Sequence, residues 1–105
     1  MTKNKKYKLL GTKLNVQYVK ATLNEDGDWI FGKVINKADN ITIQISTTDP
    51  DGNPISEEAM ELTLRHELFH FILDQLYFTE ISENETVVEW LATATNELHK
   101  QGLSI

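Results

Sequence analysis

His66-Glu67-Leu68-Phe69-His70 sets two imidazoles four residues apart with a carboxylate beside the first. Residues four apart share one face of a helix, so His66 and His70 can take two corners of a tetrahedral metal site, as in zinc hydrolases. Glu67 stands about 100° around such a helix from His66 and roughly 60° from His70. From the edge of that face it can reach a water on the metal without becoming a ligand. In a chain of this length the pattern arises by chance on the order of a few times per thousand. The chain has three histidines and spends two of them here.

Catalytic zinc usually takes three protein ligands and keeps one position for water. The chain contains no cysteine, which excludes disulfides and a thiolate site, so the third ligand must be an acid or a histidine. Asn84-Glu85-Thr86-Val87-Val88-Glu89 offers two carboxylates on the next helical stretch. A short reversal would let either one swing back over the metal. Glu85 also has a competing role, because Ser82-Glu83-Asn84-Glu85 reads as a capping box in which Glu85 serves the backbone N–H of Ser82. Glu89 can equally be an ordinary exposed helix carboxylate.

Asn-Glu-x-x-x-(Asp/Glu) after H-E-x-x-H resembles the gluzincin pattern of thermolysin-like proteases. That resemblance implies Glu85 as the zinc ligand and Glu89 as the partner that hydrogen-bonds a ligating histidine. Thr63 to His70, preceded by a strand at Ile41 to Ile45, is also similar to small phage and prophage metallopeptidases of, or near, the ImmA/IrrE type. Their pattern Glu-x-x-Ala-x-x-(Phe/Leu)-Ala matches Glu85 to Ala92, with Val88 in place of the usual alanine. The resemblance covers about residues 41 to 98. It implies a zinc peptidase, in which Glu67, placed at the edge of the metal face, is the expected general base.

Length and composition bound the rest. The 105 residues amount to a single domain, with a modest core. Sixteen acids against ten basic residues give a net charge of −6, which opposes nucleic-acid binding. Lys3, Lys5, Lys6 and Lys8 crowd the start, where a frayed, solvated terminus is expected. No apolar run reaches the roughly 20 residues of a membrane span, and Met1 to Lys8 does not look like a secretion signal. No membrane partner and a cytoplasmic setting are therefore expected.

The elements that must position the site follow from periodicity. Leu9-Leu10 and Val16 to Val19, separated by Gly11, read as extended pieces, and Trp29 to Ile35 as a strand weakened or bulged at Gly32. Ile41 to Ser46 alternates apolar and polar residues and is the clearest strand, with one face buried. It is expected at a sheet edge, where an extended peptide could pair with it. Asn24 to Asp28, Asn36 to Asn40 and Thr47 to Pro54 are turns or loops. Ser56 should cap a helix running to about Tyr77, apolar on more than one side. A second helix should run from near Ser82 to Lys100, with Val87, Val88, Leu91, Ala94, Thr95 and Leu98 as its apolar stripe.

The fold expected is α+β: a small antiparallel sheet of about three strands packed on two helices, one bearing H-E-x-x-H and the other the acidic ligand. Trp29 and Trp90 are assigned to the core, His99 to the favourable C-terminal end of the second helix, and Arg65 to a salt bridge with a helix neighbour. Tyr77 is a further option as an oxyanion donor. The function expected is Zn2+-dependent hydrolysis of a peptide or protein substrate. The alternatives are an inactive metal-binding module that regulates a partner, and a hydrolase of non-peptide amides.

Overall fold

The computed structural model describes residues 4–37 and 40–104. Strands precede helices, as expected of an α+β chain. The chain forms two compact units, one ending at Met60 and the other beginning at Glu61.

In the first unit, β1 (Lys5–Leu9) and β2 (Thr12–Val19) form an antiparallel hairpin. Its turn is Leu10-Gly11, with φ of 51° and 78°. Positive φ at both central positions matches the right-handed twist of hairpin strands, and glycine adopts it without steric cost. β3 (Thr22–Leu23) and β4 (Trp29–Ile30) make a separate two-stranded ribbon. Between them Asn24 Oδ1 accepts from the N–H groups of Asp26 and Asp28, which closes the predicted turn. β5 (Gly32–Lys37) and β6 (Asn40–Ser46) complete the main sheet. The strand expected across Trp29 to Ile35 is therefore broken, at Phe31, which is exposed. Ala38 and Asp39, in the expected turn between β5 and β6, lie outside the described residues, as does Lys3.

The main sheet has four strands in the order β1-β2-β6-β5. It is mixed rather than wholly antiparallel, because β2 and β6 run parallel, with Val16 opposite Ile43. This corrects the edge position expected of Ile41 to Ser46. β6 is an interior strand, paired with β2 on one side and β5 on the other, so it has no free flank to offer a peptide. Burial explains the placement: Ile41, Ile43 and Ile45 are at most 1% exposed, and the strand with the most completely buried apolar face belongs in the middle. Leu14 and Val16 of β2 share the core. Lys5, Lys6 and Lys8, expected in a frayed terminus, form β1, the outermost strand, where Asn4 Oδ1 also accepts from the Tyr18 N–H at 2.8 Å.

The loop from Thr47 to Pro54 is held by Asp49, whose carboxylate accepts from the N–H groups of Asp51 and Asn53. Ser56 then caps α1 (Glu57–Gln75), its Oγ accepting from the Ala59 N–H at 3.1 Å. Glu57 and Glu58 sit in the first turn, where they suit the helix dipole.

In the second unit, α1 ends two residues before the expected limit. Tyr77 takes φ of 62°, and the Phe78 and Tyr77 N–H groups bond back to the carbonyls of Leu73 and Asp74. These paired bonds are a Schellman closure, which normally uses glycine at the position Tyr77 occupies. A short turn, α2 (Thr79–Ser82), leads into α3 (Glu85–Lys100). α3 is capped by Asn84, whose side chain accepts from the Val87 N–H, and not by Ser82. Its buried residues are Val88, Ala92 and Asn96, so the apolar stripe is rotated from the one expected, and Val87 and Leu98 are exposed. Trp90 is corrected too: it is 73% exposed and no part of the core. Among the described residues, no helix is long and apolar enough to cross a membrane.

Candidate metal centre

α1 presents His66 and His70 one turn apart, their rings edge to face with centroids 4.8 Å apart. The two Nε2 atoms lie 3.1 Å from each other. Glu85, at the first position of α3, reaches across both. Its Oε1 is 2.9 Å from His70 Nε2 and its Oε2 is 3.1 Å from His66 Nε2. Glu85 is free to do so because Asn84 satisfies the helix start, which removes the capping box that competed for this carboxylate. An acid at the first position of α3 also meets the positive end of the helix dipole.

The remaining ring nitrogens are held from behind. Glu89, one turn along α3, places Oε2 2.9 Å from His66 Nδ1. Ser82 places its Oγ 3.2 Å from His70 Nδ1 and 3.3 Å from the His70 carbonyl oxygen. A hydroxyl has one proton to donate; given to the His70 carbonyl, it leaves Oγ to accept from Nδ1–H. Glu89, a carboxylate, can likewise only accept from His66. With each Nδ1 engaged by these groups, both Nε2 atoms are left facing each other and Glu85.

Comparison with protein-family models, curated proteins and solved structures finds no match. The case for a metal therefore stands on the donor set. One atom each from His66, His70 and Glu85 can be chosen so that all lie within 4.8 Å of one another. Two neutral imidazoles and a carboxylate are the donor chemistry of an open zinc site. Ligand atoms around a tetrahedral zinc stand about 3.3 Å apart, given bonds of about 2.0–2.1 Å. The two Nε2 atoms, 3.1 Å apart, need only a slight spreading to admit one, and each faces its own oxygen of the Glu85 carboxylate. The histidines are half-buried and Glu85 is exposed, so the cluster opens to solvent on the α3 side.

Glu67 is half-buried beside the two histidines. Burial pushes its carboxyl above the ordinary glutamate range, against the lowering pull of His66 and His70, and Glu85 adds a further upward push. A carboxyl with elevated proton affinity, next to the cluster but outside it, suits a group that must accept a proton and pass it on.

Other residues considered from the sequence fall elsewhere. His99 Nε2 is 3.5 Å from Glu61 Oε1, a tie between the end of α3 and the start of the second unit. Tyr77 is 90% exposed and is occupied in closing α1. The residue that sequence reasoning misjudged is Ser82. It reads as a helix cap, yet it is buried and serves His70. The sole sequence signal was redundancy: Ser82 and Asn84 are both good caps, and one helix start needs just one.

Proposed function

We propose that this chain is a zinc-dependent peptidase, acting in the cytoplasm on peptide or protein substrates as one domain of the gluzincin type, akin to the phage and prophage ImmA/IrrE-type enzymes. The observation that carries this reading is the convergence of His66 Nε2, His70 Nε2 and the Glu85 carboxylate, with Glu67 adjacent. His66, His70 and Glu85 would hold the ion, Glu89 and Ser82 would orient the imidazoles, and Glu67 would be the general base.

Zinc bound there would polarise the scissile carbonyl and make water acidic enough to attack near neutral pH. Glu67 takes the proton from the attacking water and delivers it to the leaving amine.

The test pairs metal analysis with turnover. Purified chain should hold about one zinc, as expected of a three-ligand catalytic site. Glu67→Gln should keep that zinc and lose about 10²–10⁴-fold in peptide cleavage. Zinc bound by a wild type that cleaves no peptide would leave a metal-binding regulatory module as the function.

A further inference from the structure

The charge of the chain is divided unevenly. Up to Met60 there are eight lysines and eight acids, which cancel. From Glu61 onward there are eight acids against Arg65 and Lys100, so the whole net charge of −6 belongs to the unit that carries the candidate metal centre. A divalent ion in the cluster would leave most of that excess in place. Such a field draws cationic ligands in and repels anionic ones.

A local feature of the same unit matches the field. A groove of about 320 Å³ runs along α3, lined by Glu89, Trp90, Thr93, Ala94 and Glu97. Glu89, Thr93 and Glu97 are spaced four apart and form one row, and Trp90 and Ala94 form the next. The first residue of the groove, Glu89, also touches His66 at Nδ1, so the groove begins beside a candidate metal ligand and follows α3 away from it. Trp90 stands 73% exposed within it. A neutral apolar ligand laid against this ring would strip water from the neighbouring carboxylates without compensating them. A cation on an aliphatic stem avoids that cost: its stem and charge rest on the indole while the carboxylates remain paired.

We infer that this groove binds the side chain of an arginine or lysine in the substrate, and that the substrates are basic segments of peptides or proteins. The word substrate rests on the peptidase reading; the groove itself does not, and its test is a binding measurement that needs no turnover.

The zinc-loaded full chain carrying Glu67→Gln, which spares the peptide, is titrated with acetyl-Gly-Gly-Arg-Gly-Gly-amide and with the same peptide carrying citrulline, a neutral isostere of arginine. Binding is followed at the two indole N–H resonances. The Trp90 signal should shift saturably with the arginine peptide while Trp29, whose indole donates to the Thr48 carbonyl, stays fixed. Citrulline should bind more weakly by at least the two- to fivefold that a cation over an exposed ring contributes, roughly. Glu97→Gln should weaken the arginine peptide to a similar degree, and added salt should weaken it further. Equal binding of the two peptides, a stationary Trp90 signal, or no binding at millimolar peptide overturns the inference. An arginine peptide that binds at Trp90 but is never cut by wild type sustains the groove and sinks the peptidase reading alone. Equal cleavage of both peptides by wild type, with no difference in binding, sinks the groove alone.

Discussion

Glu89 holds His66 from behind: its Oε2 lies 2.9 Å from the Nδ1 atom, on the side of the ring away from the cluster. Glu85 meets the same imidazole from the front, at Nε2. The two acids, one helical turn apart, therefore have different work. Glu85→Gln should lower zinc affinity more than Glu89→Gln, whose loss should stay within the roughly 10–100-fold typical of groups that orient a ligand. Chelator competition on both variants measures this, and the reverse order would exchange their roles.

Ser82 does for His70 what Glu89 does for His66, with a neutral hydroxyl in place of a carboxylate. Ser82→Ala should weaken zinc binding about tenfold, at the lower end of that range. It should also cost the metal-free fold about 1 kcal/mol through the lost hydrogen bonds. Chelator competition and denaturant melts read the two effects separately. Stability lost with zinc affinity unchanged would confine Ser82 to the fold.

The half-buried Glu67 makes the metal-free protein sensitive to pH. Its folded carboxyl holds a proton more tightly than the unfolded one. Between the two titrations the folded state binds more protons, so stability falls as pH rises through that window and recovers as pH drops below it. Glu67→Gln carries no such penalty. With a chelator present, it should melt above wild type at neutral pH, with the gap closing as pH falls through the raised Glu67 titration to the ordinary carboxylate range. A gap that stays constant across that range would contradict the role of burial.

Tyr77 closes α1 in a backbone conformation that costs a residue with a Cβ roughly 1–2 kcal/mol. Glycine removes the strain but adds freedom to the unfolded chain. The net expectation for Tyr77→Gly is a gain of about 1 kcal/mol, read from urea melts, with zinc content unchanged. A loss of stability would mean that the tyrosine ring makes up for its own strain.

How much of this was legible beforehand depends on how far apart the deciding residues lie. The histidine pair, Glu67 and the Ser56 cap are set by spacing within a turn or two of helix, and sequence alone places them. The burial of Ile41, Ile43 and Ile45 follows from strict alternation. The interior position of β6 does not, because its parallel partner Val16 is 27 residues from Ile43 and nothing local to either strand marks the pairing. Ser82 and Asn84 compete for one cap, and what separates them is the presence of His70 beside Ser82. Trp90 reads as core by its type alone, but its place on α3 lies outside the stripe set by Val88, Ala92 and Asn96.

The lysines of β1 gain a purpose from where the strand sits. As an edge strand it is paired, among the described residues, with β2 alone, so its other side presents backbone donors and acceptors that a strand from another molecule could match. Lys5, Lys6 and Lys8 are all exposed there, and three ammonium groups in so short a strand make the approach of an identical edge repulsive. Lysines expected in a frayed terminus thus stand on a sheet edge and oppose sheet-to-sheet aggregation there.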